Sequence, residues 1–135
     1  MSILDILKTG IEFANNDEAA RAMLADFHDN RVGIQFDSEN ITLVVKDGVI
    51  SLEPGMRDDC HAAIKLKTID LCGAIDNSFD LLEIRERGEI LKGEIADPNL
   101  PVHFMSTFPF FDAMVRLYEQ DAAFKKQVDA VRDAL

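Results

Sequence analysis

The chain has 135 residues and a mass of 15.1 kDa, room for one domain and little more. Apolar residues make up 47% and the mean hydropathy is -0.02. That excludes a disordered chain, and no run approaches the ~18 unbroken apolar residues of a membrane span. Fourteen basic against twenty-five acidic residues leave a net charge of -11, which argues against nucleic acid and anionic membrane surfaces, where Lys and Arg on phosphate supply the affinity.

The opening residues read as helix, with Ile3, Leu4, Ile6, Leu7 and Ile11 on one side. Asn15-Asn16-Asp17 then breaks the chain and caps a second helix, in which Ala20, Met23, Leu24 and Phe27 follow the i, i+3, i+4, i+7 pattern. The start lacks a basic leader and meets Lys8 and Glu12 too early for a signal peptide, and Asp133-Ala134-Leu135 is no peroxisomal address. Cys60 and Cys72 make no disulfide framework. The chain therefore reads as cytoplasmic, with both thiols reduced.

After His28-Asp29-Asn30 the apolar period changes to two. Val32, Ile34 and Phe36 alternate with Arg31, Gly33 and Gln35, and Ile41–Lys46 and Val49–Glu53 flank Asp47-Gly48. An Asp-Gly pair between two such runs predicts a tight hairpin, because both turn residues need positive φ. Pro54-Gly55 marks another turn, and His61–Lys67 alternates again with Ala62, Ile64 and Leu66 inward. Thr68 is expected to cap a helix carrying Ile69, Leu71, Cys72 and Ile75, and Ser78 a further one with Phe79, Leu81 and Leu82. Gly88 closes that stretch and Glu89–Ile95 reads as a last strand. Pro98 and Pro101 interrupt the chain, and Pro109 suits the first position of a new helix. That helix is apolar over an unusually wide arc, with Phe110, Phe111, Met114, Val115, Leu117 and Tyr118. Phe124, Val128, Val131 and Leu135 continue an amphipathic helix to the end. The sum is an α+β sandwich of sheet and helices.

Little in the sequence carries chemistry. Cys60, His61 and Cys72 lack the short paired spacing of a structural zinc site, and no local motif makes a Cys-His nucleophile of them. Asp58-Asp59 reads as a solvated turn pair rather than an acid/base dyad. Gly88 and Gly93 carry no phosphate-loop pattern. Neither an enzyme, a metal nor a cofactor is predicted. What stands out is the aromatic and Met surface from Phe104 to Tyr118. Core packing would account for each residue singly. As a set they suit the wall of an apolar ligand cavity, with Met105 and Met114 adapting to varied shapes, or a helix face that meets a partner.

The order of these pieces resembles a known family. Val32–Phe36, Ile41–Lys46 with Asp47-Gly48 and Val49–Leu52, Pro54-Gly55, the string Ala62-Ala63-Ile64-Lys65-Leu66-Lys67 leading to Thr68–Leu71, Gly88-Glu89-Ile90-Leu91-Lys92-Gly93 and the Phe-rich helix follow one another as in the sterol carrier protein-type lipid-transfer domain. The resemblance covers about Asp17 to Tyr118, so residues 1–135 read as a single such domain with 1–16 as an N-terminal helical extension and 119–135 as a C-terminal helix. It implies about five strands in a largely antiparallel sheet, covered by helices, with a hydrophobic tunnel between sheet and helices. It implies a non-catalytic carrier or presenter of an apolar lipid (a fatty acid, acyl-CoA, phospholipid, sterol-like or isoprenoid lipid) without stable membrane insertion. By position, Leu71, Ile75, Phe79, Leu82, Leu91, Phe104, Met105, Phe108, Phe111, Met114 and Val115 would line the tunnel. Lacking the peroxisomal address, the chain looks more like a stand-alone bacterial member, some of which act as accessory factors in quinone or lipid metabolism. The alternative is an interaction module whose Phe-rich helix makes a homodimer or docks a partner enzyme. An unfilled apolar tunnel of about 300 Å³ would cost ~7 kcal/mol, comparable to a domain's entire stability. A lipid carrier is therefore expected either to hold co-purified lipid or, when empty, to have a collapsed, mobile C-terminal helix.

Overall fold

A computed structural model describes residues 2–37, 39–93 and 100–135. The helices are α1 (Ile3–Asn16), α2 (Glu18–Leu24), α3 (Thr68–Ile75), α4 (Ile84–Arg87, entered through a 3-10 turn at Leu81–Glu83), α5 (Leu100–Met105), α6 (Phe108–Gln120) and α7 (Ala122–Asp133). The strands are β1 (Asn30–Phe36), β2 (Glu39–Lys46), β3 (Val49–Pro54), β4 (Ala62–Leu66) and β5 (Glu89–Lys92). They form one five-stranded sheet in the order β3-β2-β1-β4-β5, an α+β fold as the sequence predicts.

The hairpin of β2 and β3 turns at Asp47 and Gly48, whose φ angles of 54° and 77° are the positive values that such a turn demands. Three of the strand pairings are antiparallel, but β1 and β4 run parallel with Ile34 opposite Ile64. Because the side-chain period is two, register alone sets the inner face. Val32, Ile34 and Phe36 lie beside Leu43, Ile41 and Glu39 on one flank and beside Ala62, Ile64 and Leu66 on the other. Apart from Glu39 these side chains are all buried. On the opposite face Met56 covers Gly33, where a β-carbon would lie 2.8 Å from Met56 Cγ.

Local chemistry sets the helix ends. Ser2 Oγ accepts from the Asp5 N–H at 3.3 Å while the Asp5 carboxylate accepts from the Ser2 N–H at 3.0 Å, a reciprocal cap that starts α1. Asp17 ends α1 and caps α2 through the Ala20 N–H at 3.0 Å. In α1, Ile6, Leu7 and Ala14 are buried, and Gly10 lets α6 approach: a β-carbon there would lie 2.5 Å from Met114 Sδ and 3.0 Å from Phe110 Cε1.

Several predicted boundaries move. The second helix ends at Leu24 and leaves Phe27 beyond it, because the chain turns there to enter β1. Thr68 is the first residue of α3 rather than its cap. Lys67 holds the cap position, its N–H donating to Asp70 at 3.3 Å, and the Thr68 hydroxyl donates to the Asp37 carboxylate. Ser78 caps no helix, since none begins at Phe79; its N–H donates to Asp76 Oδ1 at 2.9 Å in a local turn. Pro101 does not interrupt the chain but sits in the first turn of α5, where a missing N–H goes unnoticed; Pro98 and Ile95 lie outside the described residues. Pro109 is the second residue of α6. The C-terminal stretch is two helices, because Asp121 leaves the helical conformation and its carboxylate caps α7 through the N–H groups of Ala123 and Phe124. Leu135 lies past the end of α7, 64% exposed.

Candidate functional site

Between the inner face of the sheet and the helices lies an apolar cavity. Val32 and Ile34 of β1 and Ile64 and Leu66 of β4 form its floor. Leu81, Ile84 of α4, Phe104 of α5, and Phe108 and Phe111 of α6 complete the wall, with Thr107 the residue that joins α5 to α6. Thr107 spends its hydroxyl on the Phe104 carbonyl at 2.7 Å, so it offers the cavity no unpaired polar group. The neighbouring Ser106 hydroxyl likewise donates to the His103 carbonyl at 2.6 Å. The wall can bury hydrocarbon and do little else.

The cavity measures about 20 Å³, close to the space of a single water. No open tunnel of the size expected from the sequence is seen among the described residues; Phe104, Phe108 and Phe111 of α5 and α6 face the strand residues across this small space. At about 24 cal/mol per Å³, a void this small costs only ~0.5 kcal/mol.

The residues singled out from the sequence divide into four groups. Phe104, Phe108 and Phe111 line the cavity. Leu71, Ile75 and Met114 are fully buried in the core, with Met114 against Gly10 of α1. Phe79 and Val115 line a surface groove of about 330 Å³ together with Asn77, Asp80, Leu81 and Asp112. Leu91 and Met105 are 42% and 45% exposed, and the side chain of Leu82 lies outside the described residues. Val32, Ile34, Ile64 and Leu66 were legible as inward strand positions but not as a cavity floor. Nothing in the sequence marks Leu81 or Ile84 as part of a cavity wall, whereas Thr107 falls within the Phe104–Val115 stretch.

The titratable groups near the site are few. Burial pushes the Asp112 carboxyl above the ordinary aspartate range, Asp80 adds to this, and Arg116 opposes it. Burial raises the Cys72 thiol to about 11, which leaves it protonated and a poor nucleophile. Cys60 is also buried and unbridged, with Sγ 3.9 Å from Thr42 Oγ1. His61 accepts the Arg31 N–H at Nδ1 and stacks on His103. Among the described residues, no three His, Cys, Asp or Glu side chains group so as to hold a metal ion, and no helix is long and apolar enough to cross a membrane.

Comparison with known proteins bears on the fold. No family model and no curated protein matches the chain. Among solved structures it is similar to a ubiquinone synthesis protein, UbiJ-SCP2, at 14% identity and a TM-score of 0.58, over 88% of this chain and 92% of that one. A conserved hypothetical protein from Thermus thermophilus, suggested to be a sterol carrier protein, aligns at 13% identity and a TM-score of 0.58, over 84% of this chain and 86% of that one. A crystal structure of sterol carrier protein 2 aligns at 14% identity and a TM-score of 0.51, over 95% and 94% of the two chains. Part of an inverting sec-alkylsulfatase from Pseudomonas also matches, at 17% identity and a TM-score of 0.50, over 69% of this chain; the match spans 14% of the sulfatase. The chain has the sterol carrier protein-type fold.

Proposed function

We propose that the chain is a non-catalytic lipid-binding domain that takes an apolar chain between its sheet and its helices, for transfer or for presentation to an enzyme. The observation that carries this reading is the cavity: a wall apolar but for Thr107, drawn from two strands, a 3-10 turn and three helices, set in a sterol carrier protein-type fold. The Phe-rich helix turns Phe110, Phe111 and Met114 into the chain's own interior, which favours a cargo over a docked partner as the user of that surface.

Energetics favour a site that opens around its ligand. Unfilled, about 300 Å³ of apolar space would cost ~7 kcal/mol. Burying about a dozen methylenes returns ~10 kcal/mol at ~0.8 kcal/mol each. The side that can give way is built of short pieces, the 3-10 turn, the four-residue α4 and the six-residue α5. Such helices owe their stability to packing rather than to themselves. The sheet floor is held by ladders on both flanks.

Native mass spectrometry of the purified protein, followed by organic extraction, is expected to show a lipid adduct or uptake of added long-chain lipid. Phe108 is half-buried, so Phe108→Asp should fold, as circular dichroism would verify, and should lose that adduct. Undiminished lipid uptake by the folded variant would overturn the reading. So would a concentration-dependent mass with no lipid bound or taken up.

A further inference from the structure

Two imidazole rings join α5 to the sheet. His103 of α5 lies face to face with His61, the residue before β4, with ring centroids 4.6 Å apart and planes 11° from parallel. The polar partners of both rings come from β1. The Arg31 N–H donates to His61 Nδ1 at 3.1 Å, and a guanidinium nitrogen of Arg31 stands 3.3 Å from His61 Nε2. His103 Nδ1–H donates to Asn30 Oδ1 at 2.6 Å. Phe104, next along α5, is buried in the cavity wall. Whatever holds His103 to the strands therefore also holds that phenyl ring over the cavity floor.

His61 has no place for a second proton. Both of its nitrogens face N–H groups of Arg31, and a neutral ring can accept from only one of them. A charged ring accepts from neither, and it lies against both the guanidinium and His103. The two carboxylates that favour its charge, Asp29 and Asp59, are already engaged, the first with Arg31 and the second with Arg57 at 2.8 Å. Lys92, on the β5 side of β4, donates to the Asp58 carbonyl at 2.8 Å.

We propose that the stacked His61–His103 pair is an acid-released latch on α5: a proton on His61 parts the rings, and α5 lifts Phe104 off the strands to widen the cavity. Burial first, then the charges of Arg31 and His103, hold the His61 pKa below the ordinary histidine value. The open form therefore binds the proton more readily, and the closed form gives way as pH falls below about 6.5. The element able to move is α5, whose six residues are too few to stay helical without their packing. The latch stands apart from the lipid-binding reading; that acid admits a cargo rests on it.

The test is hydrogen exchange of the intact chain, read by mass spectrometry at about pH 7.5 and about pH 5.5, one unit either side of the ordinary histidine pKa. After correction for the intrinsic rate, the α5 peptide is expected to exchange up to about tenfold faster at the lower pH, the most that one proton taken up on opening gives there. The β2–β3 hairpin should keep its protection. The pH dependence at α5 should vanish in His61→Asn, which cannot titrate, and in His103→Gln, which keeps an N–H for Asn30 but removes the stacked ring. Equal exchange of α5 at the two pH values would overturn the latch, as would an equal rise in α5 and the hairpin, or a pH dependence that survives in His61→Asn. Uptake of hexadecanol, a probe without charge at either pH, is expected to be faster at the lower pH by native mass spectrometry. Uptake at one rate at both pH values would overturn the gating of the cavity while leaving lipid binding intact. Acid-released exchange at α5 with no hexadecanol bound at either pH would support the latch and overturn the lipid-binding reading.

Discussion

His61 lies where β4 begins, with Nδ1 accepting the Arg31 N–H at 3.1 Å and its ring stacked on His103 at a centroid distance of 4.6 Å. Burial first, then the charges of Arg31 and His103, hold its pKa below the ordinary histidine value, against weaker pulls from Asp29 and Asp59. The folded ring therefore binds a proton less readily than the unfolded chain does. Stability rises with pH wherever the unfolded state binds more protons, so this contribution is lost as pH falls below about 6.5. The melting temperature is expected to drop across that range. His61→Asn, whose Oδ1 can stand in for Nδ1 without titrating, should flatten the slope. An unchanged slope in a thermal melt series would place the acid sensitivity elsewhere. None of this was legible in the sequence, where His61 and His103 lie 42 positions apart and only the parallel pairing of β1 with β4 gives His61 its partner on β1.

Among elements, α1 does more than extend the domain. The Asn15 side chain behaves as a strand partner to the sheet edge, with Nδ2 donating to the Ile50 carbonyl at 2.7 Å and Oδ1 accepting the Ile50 N–H at 2.9 Å. Ile50 is fully buried, so losing both bonds strands a backbone donor and acceptor away from water. Asn15→Ala is expected to cost about 1–3 kcal/mol, measured by urea denaturation, and a smaller loss would mean that water reaches the Ile50 peptide. Elements with strong local signals were predicted well. The Asp-Gly hairpin and the alternation of β1, β2 and β4 needed no tertiary help, because positive φ and a period of two are written in neighbouring residues. The expected caps at Thr68 and Ser78 do not form because α3 already begins at Thr68 and no helix begins at Phe79; instead the Thr68 hydroxyl donates to Asp37, brought close by the fold, and the Ser78 N–H to Asp76 in a local turn.

For the molecule as a whole, α7 is tied back to the end of α3 across 56 residues by the Arg132 guanidinium on the Asp76 carboxylate, and Arg132 also reaches Asp129 at 2.8 Å. The Asp76 side chain is 4% exposed, so removing its cation leaves a buried charge short of a partner. Arg132→Ala is expected to lower the melting temperature by about 3–6 °C. In Arg132→Ala/Asp76→Ala part of that loss should return; if the double variant melts lower still, the pair is not what holds α7. The charge distribution also changes meaning at this scale. Ten of the eleven net negative charges precede residue 99, so by sequence alone the C-terminal end is the near-neutral one. Folding sets Asp80 beside Asp112 and Val115, and the cavity floor comes from β1 and β4. The Phe-rich end supplies half of the wall, and the groove beside it is acidic.

Composition, periodicity and turn chemistry by themselves determined an α+β fold with a tight Asp-Gly hairpin, a greasy C-terminal helix and a strong excess of acidic residues. They could do so because each signal sits within a few residues of chain. Only the tertiary structure decided which of the apolar residues face the cavity. A helical or strand repeat says that Phe111 and Met114 point inward, but the side chains they meet come from distant segments: the strand floor for one, α1 for the other. The cavity's small volume was undecidable for the same reason. It is what remains after rings and aliphatic groups from four separate stretches of chain have packed against each other.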